Sequence, residues 1–388
     1  MPISQSKEKL RAEREEGLMN KIEALTKKGI QNIPPYIPGN TSESVKEKYK
    51  LDFVLKLASN ENQYGVSPKA VEAMKEAVTQ ANIYPDPFCI QLRKKLGKKF
   101  GFDDSGDNVI ISSGASGILL LLGEVFVEEG DEVILCDPTF GAYAGTCRRN
   151  GGKTISLPLT GDQKFDLKAI EAAITEKTKL VFICNPNNPT GTAVDSEELK
   201  AFIRRVPEHV ITVVDEAYIE FATDPTVESM IPEIEEDRNL IVIRTFSKIY
   251  GLAGERLGYS FMNKELHAVL QKATSVFVAS RTALAGAMAA LDDDTFIEAT
   301  RKGIAEGREY LTRELTAMGW KVWESHTNFI YADSHYDTQL LAKELEKKGL
   351  IIRGNFQYSR ITVGTMEQNR MVIDIIKKTL AEGNVPKA

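Results

Sequence analysis

Five short apolar runs constrain this chain more than anything else in it: NVIISS at 108–113, EVILC at 132–136, LVFIC at 180–184, VITVV at 210–214 and LIVIR at 240–244. Each is nearly continuous rather than alternating. That pattern marks strands covered on both faces, and the segments between them carry helical or polar patterning. Strand–helix–strand alternation of this kind makes a largely parallel sheet between two layers of helices. The expected fold is therefore α/β: a three-layer αβα large domain with a mostly parallel sheet. Its ligand should lie beyond the carboxyl ends of the strands. From about residue 280 the texture is more helical, TFIEATRKGIAEGREYLTRELTAMG being the clearest stretch. Two strand candidates, NFIYAD and RITVGT, then flank the helical DTQLLAKELEKKG, which predicts a smaller α+β domain. The expected division of the 388 residues is a helical extension and arm at 1–50, a large domain at 51–278 and a small domain at 279–388.

The strand ends carry polar groups, each of which has an ordinary structural reading. Asp215 follows VITVV, with Tyr218 three residues on; a lone Asp there is commonly a helix N-cap. LVFIC runs into NPNNPTG, whose Asn, Pro and Gly are turn formers. In IISSGASGILLL a strand passes through small residues into a helix start, where free N–H groups make a natural anion site. Lys248 follows LIVIR in RTFSKIYGLAGERLGY. An isolated lysine is usually a solvated surface residue. This one stands in a loop directly after a buried strand, between Ser247 and Arg256. Gly251, Ala253 and Gly254 let backbone pass close by, and Arg256 offers a fork suited to phosphate.

Taken together, these residue types match the needs of one cofactor, pyridoxal 5'-phosphate. Its aldehyde requires a lysine amine. Its ring nitrogen requires a carboxylate partner so that the ring can accept electrons. Its phosphate requires hydroxyl, backbone N–H and guanidinium groups, and its ring face an aromatic side chain. Other classes fit poorly. The net charge of −6 argues against nucleic acid or an anionic membrane as the main partner. The four cysteines form no CxxC pair, and the four histidines show no ligand spacing, so neither a disulfide framework nor a metal site is expected. The charged N-terminal run lacks the apolar core of a signal peptide, and no stretch is apolar enough to span a membrane, so the expected location is cytoplasmic.

At these residues the chain resembles the fold-type I pyridoxal-phosphate enzymes, specifically the class I/II aminotransferases, and within them the histidinol-phosphate aminotransferase group. The resemblance runs from PYIPG at 35–39 to RITVGT at 360–365. It implies that Lys248 forms the Schiff base and shuttles the proton. Ser247, Arg256 and the loop Gly114, Ala115 and Ser116 would bind the phosphate. Asp215 would pair with the pyridine nitrogen, and Tyr218 and Asn188 would hydrogen-bond the phenolic oxygen. Phe140 would stack on the ring, with Tyr143 as the second choice. Tyr64 in NENQYG would reach the neighbouring subunit's phosphate, which implies a homodimer with shared sites. Arg360 would grip the substrate's carboxylate or phosphate, with Arg353 and Tyr36 as helpers.

The sequence departs from the group's pattern at three places: Gln63 stands where proline is usual, SGASG replaces an acidic GSDE-type loop, and the N-terminus is longer. The implied reaction moves an amino group from an amino acid or a histidinol-phosphate-like donor to a 2-oxo acid such as 2-oxoglutarate. The alternatives are a decarboxylase of the threonine-phosphate type or a carbon–sulfur lyase, and an aromatic amino acid transaminase. A cofactor-sensing regulator would need a helix-turn-helix module, for which some thirty extra residues are too few.

Overall fold

The computed structural model describes residues 21–31, 33, 39–234 and 238–387. Tyr36 lies outside the described residues. Twelve strands are present among those described: β1 Leu55–Lys56, β2 Val109–Ser113, β3 Glu132–Asp137, β4 Lys153–Pro158, β5 Thr178–Cys184, β6 Ile211–Asp215, β7 Leu240–Thr245, β8 Leu257–Phe261, β9 Lys321–Val322, β10 Phe329–Asp333, β11 Leu350–Ile351 and β12 Ser359–Thr362. Seven of them form the central sheet in the order β2-β8-β7-β6-β5-β3-β4. The five apolar runs are β2, β3, β5, β6 and β7. Every residue of β6, β7 and β8 is buried, as expected for strands covered on both faces.

Only β8 runs against its neighbours; β3 to β7 pair in parallel, and β2 is antiparallel to β8 alone. The reversal has a functional consequence. The start of β8, next to Arg256, lies at the same edge of the sheet as the carboxyl ends of the other strands. The register shows it: Ser113 pairs with Leu257, Thr245 with Gly258 and Cys184 with Asp215.

The C-terminal part is α+β. β10 pairs antiparallel with both β12 and β9 beneath the long helix Asp294–Ala317 and the helix Met366–Ala381. The latter begins with a reciprocal cap between Thr365 and Gln368. β1 pairs in parallel with β11, and Val45, Val54, Ala58 and Ile351 close a small apolar cluster around that junction. The segment just after β1 thereby crosses from the small-domain side to the sheet's edge, carrying Asn60 to Tyr64 with it. All four cysteines are buried and free. Among the described residues no helix is long and apolar enough to cross a membrane.

Candidate active site

Asp215 ends β6 and is only 4% exposed. The Tyr143 hydroxyl donates to its Oδ2 at 2.8 Å and the Ala217 N–H to its Oδ1 at 3.0 Å. Burial raises the carboxyl to about 6, against the pull of those two donors and of Lys248. Tyr143, on the helix Ala142–Arg149, is wholly buried and stacks on Phe182 of β5 with ring centroids 4.8 Å apart and planes 8° from parallel. The expectation that it could serve as a second-choice stacking ring is therefore corrected: both its ring and its hydroxyl are committed behind Asp215. Phe140 lies edge-on to it at 5.6 Å and remains partly exposed.

Lys248 is the third residue beyond β7 and is half-buried. Its Nζ donates to the carbonyls of Ser59 and Asn60 at 3.3 and 3.2 Å and stands 5.6 Å from the centre of the Tyr218 ring. Burial, with the guanidinium groups of Arg360 and Arg256 nearby, lowers the amine to about 8. Ser247 beside it is buried, its N–H donating to Thr245 Oγ1 at 3.0 Å.

Residues 114–116 form no separate loop: they are the first turn of the helix Gly114–Phe126, which starts directly after β2. Its unpaired N–H groups and the exposed Ser116 therefore sit at the sheet's carboxyl edge. Arg256 is exposed, in the left-handed region at φ 56°, and its Nη1 donates to the Ala253 carbonyl at 2.9 Å. A Cβ on Gly114 would lie 2.5 Å from Arg256 Nη2, so only glycine lets the guanidinium lie against that turn. β8 comes equally close: a Cβ on Gly258 would lie 2.3 Å from the Ala115 nitrogen.

Across the cleft, Arg360 on β12 is 6% exposed. Its Nη1 donates to Asn188 Oδ1 at 2.5 Å and its Nη2 to the Ala58 carbonyl at 2.6 Å, while its buried Nε–H has no acceptor among the described residues. Burial lowers this guanidinium to about 10. Arg353 is its cross-strand neighbour, the two exchanging backbone hydrogen bonds at 3.0 and 2.9 Å, and the buried Nε of Arg353 is likewise unpaired. Tyr218, buried, accepts from Asn60 Nδ2 at 3.0 Å. Burial pushes its hydroxyl up to about 12.

Tyr64 lies elsewhere. Its hydroxyl lies over Gly303 of the long helix, 2.2 Å from where a Cβ would be, and no hydrogen bond joins it to the 114–116 turn or Arg256 among the described residues. The structure thus gathers Lys248, Asp215, Tyr218, Asn188, Ser247, Arg256, Arg360 and the helix start at one edge, with Arg353 alongside. Two contributors were not found by sequence reasoning. Asn60 lies within the quoted NENQYG, whose asparagines could have been weighed. Asn187 accepts from Thr139 Oγ1 at 2.8 Å and donates to the Pro138 carbonyl at 3.1 Å, joining the loops after β3 and β5.

A lysine on a strand end, a buried acid on the adjacent strand and an anion-binding helix start, on a mostly parallel sheet with a smaller α+β part, define a pyridoxal-phosphate enzyme of fold type I. The family model "Aminotransferase class I and II" matches residues 53–376, and the chain belongs to that family. Among its relatives, a histidinol-phosphate aminotransferase of Moorella thermoacetica is 38% identical over 361 residues, covering 92% of this chain and 93% of its own. One from Brevibacillus brevis is 38% identical over 357 residues, covering 91% and 97%. Among solved structures, histidinol-phosphate aminotransferase from Sinorhizobium meliloti, in complex with pyridoxal-5'-phosphate, superposes with a TM-score of 0.85 at 26% identity, over 92% of this chain and 97% of that one. Thermus thermophilus aspartate aminotransferase with maleate, at 23% identity and a TM-score of 0.76 over 91% and 99%, shares the fold.

Proposed function

We propose that this aminotransferase takes its amino group from a histidinol-phosphate-like donor and passes it to a 2-oxo acid such as 2-oxoglutarate. The cofactor fits the residues present. Lys248 offers an amine lowered to about 8, so that about a tenth is neutral and nucleophilic at pH 7, far more than for an ordinary lysine. Gly114 leaves room for Arg256 beside the first-turn N–H groups, where a phosphate would be held with Ser116 and Ser247. When bound, pyridoxal phosphate supplies an electron sink for charge developing on the substrate carbon. Asp215 would hold a proton on the ring nitrogen. Tyr218 and the Asn188 amide would donate to the ring oxygen, and Phe140 would cover the ring face. Lys248 would hold the cofactor's aldehyde and serve as the base that moves the proton.

One observation carries the choice of donor. Arg360 and Arg353 are cross-strand neighbours, each with a buried Nε–H that has no acceptor among the described residues. Two like charges on directly paired residues repel each other, and an anion bound beside them would offset that cost. A phosphorylated donor supplies about two negative charges there, whereas the α-carboxylate of an aromatic amino acid supplies one, so the phosphorylated donor matches the two cations better. We further propose a homodimer, in which Tyr64 serves the neighbouring copy.

The test has two parts. Borohydride reduction of the cofactor-loaded protein should attach the cofactor's mass to the Lys248 peptide; attachment at another lysine would refute the assignment. Single donors added without acceptor should then bleach the visible band, histidinol phosphate doing so and phenylalanine or tyrosine not. Release of carbon dioxide from threonine phosphate would favour the decarboxylase alternative.

A further inference from the structure

Asn60 is hydrogen-bonded at every one of its polar atoms. It is 1% exposed and sits in the left-handed region at φ 56°. Its N–H donates to Thr362 Oγ1 at 3.0 Å, its Oδ1 lies 3.1 Å from the same hydroxyl, and its Nδ2 lies 3.0 Å from the Tyr218 hydroxyl. Its carbonyl accepts from Lys248 Nζ and from Asn328 Nδ2 at 3.2 and 3.0 Å. One residue thus joins β12 and the residue just before β10 to the lysine and the tyrosine that follow strands of the large sheet.

Proton accounting fixes the direction of these bonds. The Thr362 hydroxyl is fully buried and already accepts the Asn60 N–H. Its own proton needs an acceptor, and Asn60 Oδ1 is the one within reach among the described residues. That places the amide oxygen toward Thr362 and the NH2 toward Tyr218. With the amide turned over, both donors would point at Thr362 and a buried hydroxyl proton would be stranded, which is the costlier arrangement. In the favoured orientation Tyr218 accepts from Asn60 and keeps its own O–H for a different partner.

We propose that Thr362 and Asn60 act as positioning residues that orient the Tyr218 hydroxyl as an obligate donor toward an anionic oxygen in the cleft. This rests on the cofactor reading above, in which that oxygen is the ring oxygen of pyridoxal phosphate. Sequence places the three residues at 60, 218 and 362, so the relay spans both parts of the molecule, and the position of β12 is transmitted to the donor.

The test uses the cofactor-loaded full chain and reads the pH titration of its visible band. A donor at the ring oxygen withdraws charge from it. Losing the donor leaves that oxygen more negative, so the proton shared between it and the lysine nitrogen is held to higher pH. Thr362→Val keeps the shape but removes the hydroxyl, and Asn60→Gly removes the amide at a backbone angle glycine tolerates. Both should move the midpoint upward by about half a unit or more, and Thr362→Ser should titrate as the wild type does. In a Tyr218→Phe background the Asn60→Gly change should add no further shift. Thr362→Val titrating normally with its band intact would overturn the relay while leaving the cofactor reading in place. Failure of the wild type to form any band would overturn both. A change confined to thermal stability, with no shift in midpoint, would mean a structural role only and also overturns the relay.

Discussion

Asp215 shows most directly how a residue proposed to bind the cofactor is held at the expense of stability. Its carboxyl is held at about 6 in the folded protein, against 3.8 when free, and burial is the main cause. The sign follows from proton counting. Between the two values the unfolded chain has already released the proton that the folded chain still holds. Stability therefore falls as pH rises from about 4 to about 6, and above that the loss is complete, on the order of 3 kcal/mol. Asp215→Asn removes the charge and keeps the size. In urea unfolding of the cofactor-free protein at pH 8 the variant should be more stable by up to about 3 kcal/mol, with the gap narrowing at pH 5. The same variant should hold the cofactor more weakly. A variant no more stable than wild type at pH 8 would show that the carboxylate is not strained by its surroundings. Tyr143 is part of this account: its hydroxyl offsets some of the burial, which is why its ring is packed on Phe182 rather than left free for a ligand.

Among the elements, β8 packs most tightly against the helix start proposed to hold the phosphate. Gly258 lies against the backbone of Gly114 and Ala115, where any side chain must displace one of them. Gly258→Val suits a strand by propensity, yet it should overpack this contact at a cost of about 1–3 kcal/mol. The expected result is at least a ten-fold weaker cofactor Kd in absorbance titration of the cofactor-free protein, with the far-UV circular dichroism unchanged; an unaltered Kd would mean the turn is not the anion site. The same glycine explains why β8 was hidden in the sequence. LGYSF lacks the unbroken apolar run that announced β2, β3, β5, β6 and β7, because contact with the helix start excludes a side chain at its second position. β4, KTISLP, escaped for another reason: it is an edge strand with half-exposed residues. The strand-end residues were legible because each directly follows a legible strand. Asn60 was not, since its partners lie 158 and 302 residues away, and nothing local reports such contacts.

For the whole molecule, the exposed apolar surface bears on the proposed dimer. Tyr84 is 78% exposed and Phe277 42%, their rings 4.7 Å apart, with Ile83 and Val276 exposed beside them. The patch is built, not frayed. The Phe277 N–H donates to the Pro87 carbonyl at 2.9 Å, and Arg281 holds the carbonyls of Ile83 and Tyr84 at 3.4 and 2.9 Å. Phe277 is also kept in the left-handed region at φ 57°, a costly conformation for a bulky side chain. Such a surface is a recurrent mark of association, and a second copy fits the proposed role of Tyr64, whose hydroxyl lies beside Gly303 and away from its own helix start at Gly114. The double variant Tyr84→Glu, Phe277→Glu places two charges where each must meet apolar surface or its own symmetry mate. Sedimentation should show wild type at twice the chain mass and the variant at the chain mass, still folded by circular dichroism. If sites are shared, the separated chains should bind the cofactor more weakly although no residue of their own phosphate turn has changed. A wild type that sediments as a single chain would overturn the dimer. A variant that separates with undiminished cofactor affinity would leave the dimer standing and remove Tyr64 from the site.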